Sequence, residues 1–141
     1  MPDEERVPRF ALGLLTLRGR YVLQLRDDKP GIAAPGLWGF FGGRVHAEES
    51  PEEAFQREIR EELDISPVSI ALFWHVDRYS EFYERSVEYW IFVSDIADVW
   101  DGHVVREGQA AGVFAYEELS GIRMHPFVPE VLERHHDAAP G

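Results

Sequence analysis

The chain has 141 residues, 45% of them hydrophobic and 13% aromatic, which suits a single domain over 1–141 with a real core. A net charge of −12 argues against polymeric nucleic acid or an anionic membrane as partner, because both need Lys and Arg to neutralise phosphates. The absence of cysteine excludes disulfides and thiolate sites. No apolar run approaches the ~20 residues of a membrane span, and the start MPDEERVPRF lacks the apolar core of a signal peptide, so a cytoplasmic location is expected.

In chain order, the apolar-rich runs 9–17 and 21–27 are joined by Arg18-Gly19-Arg20, which predicts a β-hairpin. Residues 27–35 are rich in Gly and Pro and read as a plain connection, although such a loop can also cover a site. Trp38 and Phe40 follow; each is a candidate to stack on a base, against the commoner use of such aromatics as core. Gly42-Gly43 comes next, and paired glycines let backbone approach a ligand closely or take up positive φ. Arg26, Lys29 and Arg44 are candidate phosphate contacts, with plain surface solubility as the competing reading.

Ser50-Pro51-Glu52-Glu53 is a helix start: Ser at the N-cap, Pro where a missing N–H costs nothing, and Glu53 closing a capping box. Stepping about 100° per residue from Pro51, Glu58, Glu61 and Glu62 fall within an arc of about 100°, beside an apolar stripe of Phe55, Ile59 and Leu63. Like charges at these spacings repel, so a cation is expected among them. Oxygen ligands of this kind suit Mg²⁺, Mn²⁺ or Ca²⁺, and Mg²⁺ is commonly held by a few carboxylates together with substrate phosphates. Ala54, one turn before Glu58, is small enough to leave room for a ligand. Glu49 and Arg57 are read as an ion pair that clamps the preceding loop to the helix, a task for which the planar guanidinium fork is suited. The bland alternative is a solvated acidic helix face. The glycine pair, Glu49 and the cap together favour the metal site.

Downstream, 69–78 and 86–96 read as strands. The second sets Val87, Tyr89, Ile91 and Val93 against Trp90 and Phe92, so both of its faces are expected to be buried. A further strand is expected at about 112–116, and 127–136 has helical periodicity with Pro129 in its first turn. The pattern predicts a mixed α/β (α+β) fold, a sheet with helices on either side, with frayed ends at 1–5 and 138–141. His46, His75, His103, His125, His135 and His136 show no metal-ligand spacing and receive no catalytic role.

Residues 43–65 resemble the Nudix box, the loop-helix-loop signature of hydrolases that cleave nucleoside diphosphates linked to another group. Gly43, Glu49, Arg57, Glu58, Ile59, Glu61, Glu62 and Ile65 stand where that pattern requires them. Asp64 replaces the usual Gly, and Phe41 replaces a frequent Pro. The resemblance implies an α/β/α sandwich with a mixed central sheet, and Mg²⁺ (or Mn²⁺) on Glu58 and Glu62, assisted by the carbonyl of Gly42 or Gly43. It also implies Glu61 as a further ligand or the general base, and Glu107 as a late acidic ligand, against the plainer reading of a solvated loop glutamate.

Arg57 and Glu49 complete the implied catalytic set, with Arg44, Trp38, Phe40 and Tyr83 as substrate contacts. The implied partner is a small nucleotide, and a homodimer is left open. A (d)NTP or oxidised nucleotide ranks first as substrate, giving a nucleoside monophosphate and pyrophosphate. Dinucleoside polyphosphates and nucleotide sugars come next. Ser80 stands about where ADP-sugar enzymes of the family carry a Pro, and Tyr83 about where dinucleoside polyphosphate enzymes carry a Tyr. A non-catalytic nucleotide sensor is the rival class, disfavoured because every box glutamate is kept. An isomerase on the same scaffold would need a catalytic cysteine.

Overall fold

The computed structural model describes residues 7–31, 35–105 and 110–138. The hairpin forms as expected from β1 (Arg9–Leu17) and β2 (Arg20–Leu25), with Arg18 and Gly19 both at positive φ in the tight turn between them. β2 ends at Leu25, two residues short of Asp27, although the Arg26 N–H still donates to Leu37 O at 3.0 Å in the register that pairs Leu25 with Trp38. Two short strands follow, β3 (Trp38–Gly39) and β4 (Phe41–Arg44), and then helix α1 (Pro51–Leu63). β5 (Ala71–Ser80) and β6 (Arg85–Asp95) form a long antiparallel pair, with a register shift between Leu72 and Trp74. β7 (Ala110–Phe114) lies two residues earlier than the sequence pattern suggests, since Tyr21 pairs with Phe114 and Tyr116 already belongs to a 3-10 turn. Helix α2 (Phe127–Ala138) closes the fold.

The strands make one seven-stranded mixed sheet in which β1 is the hub. It runs parallel to β6 on one edge, while its other edge is shared by β4 at residues 10–13 and β2 at 15–17, both antiparallel. Because strand side chains alternate, each face of the sheet carries its own core. On one face Ala11, Leu15, Val22, Phe41 and Phe92 meet Phe55, Ile59 and Leu63 of α1. On the other, Leu14, Leu23 and Ile91 meet Val131 and Leu132 of α2. The result is the expected α/β/α sandwich. Phe55, Ile59 and Leu63 are wholly buried, each contributing about 2 kcal/mol of apolar burial, and this pins α1 in place over β1 and β4.

Two expectations are corrected here. Ala54 is 0% exposed within the α1-side core, so its small side chain serves close packing and leaves no opening for a ligand. Phe40 is 6% exposed in the α2-side core, because the alternation that turns Phe41 toward α1 turns its neighbour the other way, and it offers no free stacking surface. Among the described residues, no helix is long and apolar enough to cross a membrane. Glu107, residues 1–5 and residues 139–141 lie outside the described residues, as do 32–34 of the Gly/Pro-rich loop.

Candidate functional site

The site is built on α1, and both ends of that helix are set by local chemistry. Ser50 has extended backbone at φ −77° and ψ 159°; its Oγ accepts from the Glu53 N–H, and Glu53 Oε1 accepts from the Ser50 N–H. This is the capping box read in the sequence. At the other end Asp64 adopts the left-handed conformation at φ 58°, ψ 34° and donates its N–H to Arg60 O at 2.9 Å, filling the place that Gly usually takes.

Between these caps, the three carboxylates differ sharply in burial. Glu62 is 3% exposed; its Oε1 accepts from the Gly42 N–H at 2.8 Å and its Oε2 from the Gln24 amide at 3.1 Å. Glu58 lies against the backbone of Gly43 so closely that a Cβ there would stand 2.5 Å from its carboxylate. Gly42, at φ 139°, would place a Cβ 2.2 Å from Ala11 O. The glycine pair is therefore a steric requirement: β4 must pass between β1 and the helix carboxylates with no side chain on either count. Glu61, by contrast, is half exposed at the rim.

Arg57 ties the loop, the helix and β4 together. Its Nε donates to Glu49 Oε2 at 2.6 Å and its Nη2 to Glu49 Oε1 at 2.9 Å, the bidentate pair expected from the sequence. Nη2 also reaches Arg44 O at 3.0 Å, while Nη1 donates to Glu58 Oε1 at 2.8 Å and to Glu61 Oε2 at 3.3 Å. All the donors of the guanidinium fork are directed at this hub. The hydrogen bonds from Arg57, joined by the His46 N–H, hold the Glu49 carboxyl at about 2, well below the usual carboxylate range. Glu49 and then Glu58 in turn raise the Arg57 pKa, so it stays charged throughout.

A match to the NUDIX domain spans residues 6–135. The chain belongs to the Nudix family. Among curated relatives, the 8-oxo-dGTP diphosphatase of Escherichia coli (strain K12) is 31% identical over 91 residues, 64% of each chain. An RNA pyrophosphohydrolase of Gluconacetobacter diazotrophicus is 42% identical over 53 residues, 36% of this chain and 32% of that protein. The chain thus spans less than two thirds of either relative. Among solved structures, the MutT NUDIX hydrolase from Burkholderia pseudomallei superposes with a TM-score of 0.77 at 26% identity, over 91% of this chain and 97% of that one.

The Nudix-box residues Gly43, Glu49, Arg57, Glu58, Glu61 and Glu62 are accordingly gathered at one place, on the α1 face of the sheet. The other sequence candidates are dispersed. Arg44 joins the Nudix-box hub through its carbonyl, and its side chain is exposed. Trp38, half-buried on β3, packs edge-on to Phe114 with centroids 4.9 Å apart. Tyr83 stands in the turn between β5 and β6 against Phe10, which packs on Tyr89 and so faces away from α1. The histidines show no ligand spacing along the chain, yet the cross-strand register sets Glu88 opposite Asp77, two residues from His75. Ligand atoms of these three lie within 4.8 Å of one another. His75 Nε2 sits 3.2 Å from Glu88 Oε2, and its ring stacks at 3.6 Å on Trp90, whose indole N–H donates to Glu88 Oε1. Gln24 was missed by sequence reasoning, although it is a lone polar residue in the apolar run YVLQL.

Proposed function

We propose that this chain is a divalent-metal-dependent pyrophosphohydrolase that cleaves nucleoside diphosphates linked to another group, with a (d)NTP or oxidised nucleotide as the leading substrate class. The observation that carries the reading is the placement of Glu62 and Glu58, one buried and one largely so, side by side with the glycine backbone of β4. A buried carboxylate is costly, and structural packing alone gives no reason to keep one there. The donor set is all oxygen and anionic, which fits Mg²⁺ or Mn²⁺ and disfavours metals that prefer sulfur or imidazole. Glu58 and Glu62 would hold the ion, with the carbonyl of Gly42 or Gly43. When bound, it polarises a phosphoryl oxygen and lowers the pKa of a coordinated water.

The chain's own residues supply the rest. Glu61, exposed at the rim, is the further ligand or the acceptor of the proton from the attacking water. Arg57 and Glu49 hold loop and helix in register, which fixes the spacing of the acids. We assign the exposed Arg44 side chain to the substrate phosphates; Trp38, packed edge-on to Phe114 with the α2-side core, is left without a base to flank. The names of the two curated relatives support phosphoric-anhydride cleavage, and one concerns RNA. The charge of −12 favours a small nucleotide over an RNA chain here.

The test is a screen of nucleoside triphosphates, oxidised nucleotides, nucleotide sugars, dinucleoside polyphosphates and a 5′-triphosphorylated RNA with Mg²⁺ or Mn²⁺, read as released phosphate products. We expect monophosphate release from a small nucleotide, abolished by EDTA and by Glu58→Gln or Glu62→Gln in folded protein. Turnover near wild type in either variant, or no hydrolysis of any substrate, overturns the reading.

A further inference from the structure

We infer that Gln24 is a positioning residue for the metal site, whose amide sets the orientation of Glu62; this rests on the proposed role of Glu62 as a ligand. Gln24 is 3% exposed, and the buried polar or charged side chains among the described residues are Gln24, Glu62 and Ser94. Alternation along β2 directs Val22 and Gln24 toward α1, and Val22 belongs to the apolar core there. Packing alone would place a second apolar residue at 24. The amide instead crosses 38 residues of sequence to donate to Glu62 Oε2, while the Gly42 N–H takes Oε1.

One donor on each oxygen fixes both the rotation and the tilt of the carboxylate. Donor and acceptor come from different elements, so neither end can drift without the other. The scaffold behind the amide is rigid, since Gln24 pairs with Gly39 of β3 on one edge and with Ala111 of β7 on the other. Both partners are small, which leaves the amide the space it needs beside the helix. Groups that orient a metal ligand without touching the ion are a recurring part of such centres, and their loss typically weakens metal affinity by about 10- to 100-fold.

The experiment compares wild type, Gln24→Met, Gln24→Asn and Glu62→Gln. Met matches Gln in length and has no donor; Asn keeps the amide but falls one methylene short. Mn²⁺ dissociation constants come from electron paramagnetic resonance, and thermal stability is measured in EDTA. We expect both Gln24 variants to bind Mn²⁺ about 10-fold or more weakly, with some loss of apo stability because a buried Glu62 oxygen loses its donor, whereas a purely structural residue would lower the melting temperature and leave the affinity alone. In wild-type protein, Mg²⁺ titration should move the Gln24 side-chain amide cross-peaks in ¹⁵N spectra, and this needs no variant. Mn²⁺ affinity within about twofold of wild type in a folded Gln24 variant, or immobile Gln24 amide peaks at saturating Mg²⁺, sinks the inference. If Glu62→Gln binds Mn²⁺ as wild type does, the assignment of Glu62 as a ligand has failed instead.

Discussion

Replacing Glu49 by Gln removes one charge from the Arg57 hub and leaves its shape nearly unchanged, so it isolates the electrostatic part of the loop clamp. The folded carboxyl titrates at about 2 against an ordinary 4.5. At about 1.4 kcal/mol per unit, that gap sets an upper bound of about 3.5 kcal/mol. The side chain is 17% exposed and screened by salt, which reduces the expected loss to about 1–2 kcal/mol. For a domain of this size the melting temperature should fall by about 3–8 °C. The sign follows from the depressed pKa: stabilisation is complete above about pH 4.5 and is lost as pH falls toward about 2. Urea denaturation of both proteins in EDTA at pH 7, 5, 3.5 and 3 gives the difference directly, since every other titrating group is common to the two. The difference should shrink steadily from about pH 5 downward, with less than about half of the pH 7 value left at pH 3. A pH-independent difference, or a Glu49→Gln protein as stable as wild type at pH 7, would refute the ion-pair argument.

Ser50→Ala should cost about 1 kcal/mol by removing the cap of α1, while leaving Mn²⁺ affinity unchanged because no ligand contacts Ser50. A large loss of affinity would show that the helix start is coupled to the site. Asp64→Gly should raise stability by up to about 1 kcal/mol, since Gly enters the left-handed region without a Cβ penalty; an unchanged or lower unfolding midpoint contradicts that account. Gly43→Ala drives a methyl into Glu58, so metal binding should weaken at least about 10-fold, measurable by isothermal titration with Mn²⁺. Retained affinity would mean that Glu58 moves aside and is not needed as a ligand.

What the sequence made legible was local. The β1–β2 hairpin, the capping box at Ser50, the start and end of α1 and the Glu49–Arg57 pair all depend on residues within a few turns of one another, and their spacing is written in the chain. The relations that escaped depend on strands brought together by the fold. Gln24 meets Glu62 because β2 and α1 share a face. His75, Asp77 and Glu88 meet because of the β5–β6 register, beyond the irregularity at Leu72 to Trp74. Phe40 and Phe41 look equivalent in the sequence, and only the placement of β4 against β1 decides which face each joins. The same limit applies to Glu58, Glu61 and Glu62: the helical arc grouped them, but the neighbouring glycine strand determines which is buried.

The full engagement of Arg57 has a consequence for how the segment after β4 tolerates change. With the guanidinium bound to the carbonyl of Arg44 at one end of the strap and to the carboxylate of Glu49 at the other, the distance between those two points is fixed by a single rigid plane. Residues 45–48 form a tether of set length: substitutions at the exposed residues 46–48 should be absorbed, although Val45 is fixed in the core, whereas an insertion or deletion would leave one of the two anchor points out of reach.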